Sequence, residues 1–113
     1  LQARNLARFN QAGVKIAFGT DGSAPWALHQ EMEDMVRSGM TPSEVIVAAT
    51  SSSAALMEVT NAGTVAAGMS ADFLVLDANP LDDITNTRQI SAVYLRSTAV
   101  DREALGARWA GRP

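Results

Sequence analysis

The stretch Gly13-Val14-Lys15-Ile16-Ala17-Phe18-Gly19-Thr20-Asp21-Gly22 decides how the rest of the chain is read. Residues 14–18 are β-branched and mostly apolar and lie between turn formers, so a buried strand is predicted there. Just upstream, residues 1–12 read as a helix, with Ala3, Leu6 and Phe9 recurring every three positions among polar neighbours. Gly13 stands where a C-terminal cap needs positive φ. Helix, short turn, buried strand is the rhythm of an α/β protein with a parallel sheet.

Downstream the strand opens into a loop, Gly19 to Pro25. Leu28, Met32, Met35 and Val36 then give an amphipathic helix that Gly39 stops. Thr41-Pro42-Ser43-Glu44 has the order of a capping box with Pro at the first helical position. Val45, Ile46, Ala49, Leu56 and Met57 predict its apolar side, and Ser51-Ser52-Ser53 predicts a break into two short helices. The methionines at positions 32, 35, 40 and 57 read as core filler.

The character changes near Asn61. Gly63, Gly68 and Ser70 punctuate short extended pieces. Residues 73–76 predict a buried strand bracketed by Asp72 and Asp77, which read as turn shapers. Residues 79–83 form a loop, residues 90–96 a second strand, and Asp101 caps a last helix containing Leu105 and Trp109. The chain therefore divides into an α/β part over 1–58, small β structure over 59–100, and a helix and tail over 101–113. One strand among helices cannot cover its own sheet faces, so the chain reads as incomplete, in keeping with a first residue that is Leu1 rather than Met.

Composition bounds the chemistry. The 113 residues carry 9 basic and 12 acidic side chains, a formal charge of −3, and 47% are hydrophobic. This is a globular composition with no basic patch, which argues against nucleic acid as a partner. No apolar run reaches the length of a membrane span, and no signal peptide is visible; the location of the full-length protein is left open, since its N-terminus and any signal peptide are not in this chain, with the cytoplasm as the first expectation. With no Cys, disulfides and thiolate chemistry are excluded, and with one His no multi-histidine metal site fits within the chain.

Asp21 is the sharpest candidate for chemistry. It directly follows the predicted strand, and active residues in parallel α/β sheets and barrels gather at strand carboxyl ends. A carboxylate there suits a metal ligand or a general base, although Asp-Gly is also an ordinary turn signal. His29 and Glu33 are four apart on one helix face, a spacing open to a metal pair but too few for a site, so His29 is read as a substrate contact. Glu31, Glu33 and Asp34 read as a solvated acidic face, and the three serines lack the partners of a nucleophile.

The ordered set of segments is more specific than any one of them. The opening stretch, then Glu33, Met35 and Val36, Gly39-Met40-Thr41-Pro42-Ser43-Glu44, Ala48-Ala49-Thr50, Ala54-Ala55-Leu56, Gly63-Thr64-Val65, Gly68, the run from Ala71 to Asp77, and Asn79-Pro80-Leu81-Asp82-Asp83-Ile84 together resemble the carboxyl-terminal part of the amidohydrolase superfamily. The nearest branch is imidazolonepropionase-like and prolidase-like. The resemblance covers roughly residues 1–100 and implies the last strand and helices of a (β/α)₈ TIM-type barrel plus part of a small β-sandwich. It implies hydrolysis of C–N bonds in cyclic amides, amidine-like rings or Xaa-Pro-type peptides. Asp21 matches the family's eighth-strand aspartate, a metal ligand that also handles the proton of the attacking water. The implied cofactor is a divalent metal, zinc foremost, as one or two ions whose other ligands lie outside this chain.

The implied partners are a small-molecule or dipeptide substrate and the missing N-terminal portion of the same protein; a homo-oligomer is open. One departure is visible: where the family has a Gly turn after Leu95-Arg96, this chain has Ser97-Thr98, which predicts a looser or differently shaped hairpin. The competing reading is a small non-catalytic α/β module that binds a ligand or partner.

Overall fold

The computed structural model describes residues 2–20, 22, 24 and 26–110, and the side chains from Asn5 onward. Helix α1 (Gln2–Gln11) ends as the sequence predicts. Gly13 has φ +78°, and the Gly13 and Val14 N–H groups donate to the Asn10 and Phe9 carbonyls, closing a Schellman motif. Leu6 packs toward the core and Ala7 is buried, whereas Phe9 is exposed, so the inward face is not the every-third-residue row. The side chain of Ala3 lies outside the described set.

Residues 14–20 carry no regular secondary structure and pair with no strand of the sheet. The expectation of a buried strand is corrected accordingly. Ile16 and Phe18 pack on the core, while Val14 and Lys15 are exposed. A central strand of a parallel sheet is paired and covered by its neighbours; residues 14–20 have neither pairing nor full cover among the described residues.

Helix α2 (Ala27–Arg37) ends in a second Schellman motif at Gly39, φ +108°, with Gly39 and Met40 N–H donating to Val36 and Met35. Thr41 caps helix α3 (Pro42–Val47) in the expected capping box, its side chain accepting from the Glu44 N–H while Glu44 accepts from the Thr41 N–H at 2.7 Å. The serine run does not split the helix. A π-helical turn (Ala48–Ser52) carries it directly into α4 (Ser53–Leu56), so the extra residue is absorbed as a bulge.

The core is Met35, Met40, Val45, Ala48 and Ile84, with Val45 fully buried. Met57 (73% exposed) and Leu56 (70%) stand outside it, correcting the expectation that both belong to the apolar side. Leu28 is likewise exposed.

Residues 59–72 are turns and irregular structure, with no strand among them. Three antiparallel strands follow, β1 (Phe73–Leu76), β2 (Ile90–Leu95) and β3 (Thr98–Ala99), in that order across the sheet. Leu74 and Val75 of β1 are exposed, so this strand too is less buried than its sequence predicts. Phe73 stacks on its cross-strand partner Tyr94 at 4.6 Å between ring centroids. The 3₁₀ turn Ile84–Arg88 between β1 and β2 sends Ile84 into the core and returns the chain to α2.

The hairpin that lacks glycine is tight, not loose. Leu95 pairs with Thr98, leaving Arg96 and Ser97 as a two-residue turn with φ of +49° and +68°. Both signs match a type I′ turn, whose twist suits flanking strands. Asp72 secures it: its carboxylate accepts from the Arg96 N–H at 2.6 Å and from the Ser70 hydroxyl at 2.7 Å. Helix α5 (Arg102–Ala110) is capped by Asp101, which accepts from the Ala104 N–H at 2.8 Å, and it lies exposed along its whole length.

Candidate active site

The segment 14–20 is fixed from behind by one hydroxyl. Ser53 Oγ accepts from the Phe18 N–H at 2.9 Å and donates to the Ala48 carbonyl at 2.7 Å. The first residue of α4 thus anchors the chain at Phe18, three positions before Asp21 in the sequence. Nothing in the sequence signals this contact, because the partners are 35 residues apart and serine runs are common in helix ends.

Asp21, Ser23 and Pro25 lie outside the described residues. Their neighbours define a cleft. Gly19, Thr20, Gly22, Trp26, Ala27, Gln30 and Glu31 line an open volume of about 470 Å³ at the end of that segment. Gly22 sits close to α2: a Cβ there would stand 3.2 Å from the Ala27 Cβ, a tight contact. The Thr20 hydroxyl donates to the Gly22 carbonyl at 3.2 Å.

His29 belongs to a different face of α2 and is not among the residues lining the cleft. Its Nδ1 is 3.1 Å from Thr87 Oγ1, and that hydroxyl donates its single proton to the Ile84 carbonyl at 2.8 Å. Thr87 therefore accepts from His29, which places the imidazole proton on Nδ1. Partial burial holds the His29 pKa below its usual value, the Arg88 guanidinium lowers it further, and Glu33 opposes both.

The acidic face predicted from the sequence separates into three roles. Glu33 (side chain 11% exposed) bridges α2 to the 3₁₀ turn, 2.7 Å from Arg88 Nη2, and also meets Arg37 at 3.3 Å. Asp34 pairs with Arg37 at 2.6 Å and accepts from Gln30. Glu31 faces the cleft. His29 and Glu33 are thus engaged with Thr87 and Arg88 rather than with one another as ligands. Among the described residues no three His, Cys, Asp or Glu side chains are grouped to hold a metal ion. No helix among the described residues is long and apolar enough to cross a membrane.

A segment ending at a polar cleft, followed by helices and a small antiparallel sheet, makes this a mixed α/β chain with its candidate site ahead of α2. The chain belongs to the amidohydrolase family, whose model matches residues 2–100. It is 37% identical over 86 residues to an ochratoxinase of Aspergillus niger, covering 74% of this chain and 18% of that protein. Among solved structures it is similar to phenylurea hydrolase B, with 34% identity and a TM-score of 0.80 over 93% of this chain and 27% of that one. A Xaa-Pro dipeptidase with methionine bound in its active site gives 28% identity and a TM-score of 0.81, over 87% of this chain and 25% of the other. The chain thus spans less than a third of the length of each of these relatives.

Proposed function

We propose that this chain is the carboxyl-terminal part of a metal-dependent hydrolase that cleaves C–N bonds, with residues 1–58 contributing to the barrel, 59–100 to the composite sandwich, and 101–113 a terminal helix and tail. The observation that carries the reading is the cleft at the end of residues 14–20, whose lining residues Thr20 and Gly22 flank Asp21 in the chain. The names of its relatives support it, since a phenylurea and a Xaa-Pro dipeptide both contain a C–N bond open to hydrolysis.

Asp21 is the proposed metal ligand and general base. The described residues build no metal site alone, so the remaining ligands of a divalent ion, zinc foremost, come from the rest of the full-length protein. The chemistry such an ion supplies is a pKa of water lowered toward neutrality. The Asp21 carboxylate accepts the proton of the attacking water and returns it to the leaving nitrogen, which must depart as an amine. Ser53 acts as a positioning residue, holding the segment that delivers Asp21.

The test is Asp21→Asn in the full-length protein. Its kcat for an amide substrate should fall by about 10²- to 10⁴-fold, the usual contribution of a positioned acid–base group. Bound metal should fall with it, with the far-ultraviolet circular dichroism unchanged. A kcat near that of the parent overturns the role.

A further inference from the structure

The opening turn of α2 supplies one wall of the cleft, through Trp26, Ala27 and Gln30. Trp26 stands at the N-cap, where an indole is a donor only and offers no acceptor to the free N–H groups of the first turn. The turn is fastened from its other side. His29, the third residue of α2, donates from Nδ1 to the Thr87 hydroxyl at 3.1 Å, across 58 positions of sequence. One helical turn later Glu33 accepts from Arg88 Nε at 2.8 Å. His29 and Glu33 share a helix face at i,i+4, and Thr87 and Arg88 are adjacent in the chain. Two neighbouring contacts of this kind fix both the height and the rotation of α2.

The far side of this clasp is itself braced. Thr87 is buried, its hydroxyl donates to the Ile84 carbonyl, and Ile84 belongs to the same core cluster as Met35 of α2. The Asp83 carboxylate accepts from the Thr85 N–H at 2.9 Å, and the Asn86 amide donates to the Asn79 carbonyl at 2.9 Å. The two contacts are unequal. The Arg88 side chain is 39% exposed, so water and salt screen its ion pair with Glu33. A donor left without its acceptor at buried Thr87 costs more. The His29–Thr87 contact therefore carries most of the hold.

We infer that His29 and Thr87 are positioning residues, whose contact holds the opening turn of α2, and with it one wall of the candidate site, in place for substrate. What the wall serves rests on the hydrolase reading; that it is held through Thr87 does not. Ser53 fixes the segment that leads to Asp21, and Thr87 fixes the helix that follows it.

Hydrogen exchange and steady-state kinetics on the full-length protein test this together. The Ala27 and Gln30 N–H groups donate to the Ala24 and Trp26 carbonyls and report the hold on the first turn directly. Thr87→Val, similar in shape but without the hydroxyl, should speed exchange at both about tenfold, the scale of one lost hydrogen bond. It should also raise KM about tenfold for whichever of an N-phenylurea and an Xaa-Pro dipeptide the parent hydrolyses, with kcat changed less. Thr87→Ser, which keeps the hydroxyl, should restore both readings. His29→Leu should repeat the effects of Thr87→Val, and the double variant should be no worse than either, because both substitutions delete one contact. A purely structural role lowers the melting temperature and leaves KM unchanged below it. That result, unaltered exchange at Ala27 and Gln30, or additive effects of the two substitutions overturns the inference. A parent that hydrolyses neither compound counts against the hydrolase reading, and the exchange rates then decide by themselves whether α2 is held through Thr87.

Discussion

His29 shows how a single residue changes meaning once its proton is located. Thr87 uses its only hydroxyl proton on the Ile84 carbonyl, so His29 must donate from Nδ1. Burial first, and Arg88 second, disfavour the imidazolium. A folded pKa below that of the unfolded chain means that the unfolded state binds more protons as pH falls through about 6.5. The His29 contribution to stability is therefore complete above that pH and is lost as pH drops toward the folded pKa. His29→Gln keeps a donor for Thr87 but removes the titration, so its urea midpoint should vary less than the parent's between about pH 5 and 7. Parallel pH profiles for the two proteins would refute the assignment. Asp72 titrates with the opposite consequence for its charge: the Ser70 hydroxyl first and the Arg96 N–H second hold its carboxyl below the usual range. The hairpin contact is present above the ordinary carboxylate pKa and is lost as pH falls through the lowered folded value. The Arg96 amide resonance should shift across that transition, and Asp72→Ala should abolish the shift.

Helix ends account for much of what was legible at the level of elements. Gly13, Gly39 and Thr41 announce their caps because each satisfies a backbone group within a few residues, and such bonds depend on local sequence alone. The third Schellman cap was not legible, since it uses Glu58 at φ +57°, with the Glu58 and Val59 N–H groups donating to Ala55 and Ala54. A non-glycine residue in the left-handed region costs on the order of 1 kcal/mol or more, so Glu58→Gly should raise stability by about 1 kcal/mol in a denaturant titration. Gly63 gives the reverse case. Its φ is +87°, and an added Cβ would fall 2.7 Å from the Ala54 Cβ and 3.0 Å from the Thr50 carbonyl. Strain and overlap together predict that Gly63→Ala destabilises by about 2–4 kcal/mol, loosening the π-helical turn just before Ser53, the residue that anchors Phe18. Unchanged amide exchange at Phe18 in that variant would separate the two features. The sequence of residues 59–63 identifies a glycine turn, but not the helix against which it packs, because that approach is set by tertiary structure.

Across the whole molecule strand burial was over-predicted, and of the predicted strands residues 73–76 and 90–95 pair in a sheet whereas residues 14–18 do not. Residues 14–18 and 73–76 have the composition of covered strands, yet Val14, Leu74 and Val75 are exposed, as are Leu56, Met57, Val65 and Leu95. Patterning records the environment in which a sequence was selected, and that environment includes strands and helices supplied by other parts of a longer fold. The radius of gyration, 15.3 Å, exceeds the roughly 13 Å of a compact domain of 100 residues, which fits a chain whose core is five side chains and whose sheet lies to one side of it. Exposed apolar surface of this kind is stable in water only when covered, and open strand edges invite pairing with other copies. The isolated 113-residue chain should therefore bind the dye ANS, sediment as a concentration-dependent mixture, and show protection from hydrogen exchange concentrated in α2 and α3 rather than in β1–β3. Joined to the rest of its protein it should lose the dye signal and gain protection at residues 15–17, whose N–H groups acquire strand partners. A monomeric isolated chain with one sharp thermal transition and no dye binding would show that these surfaces are self-sufficient, and would favour an independent binding module over a part of a larger barrel.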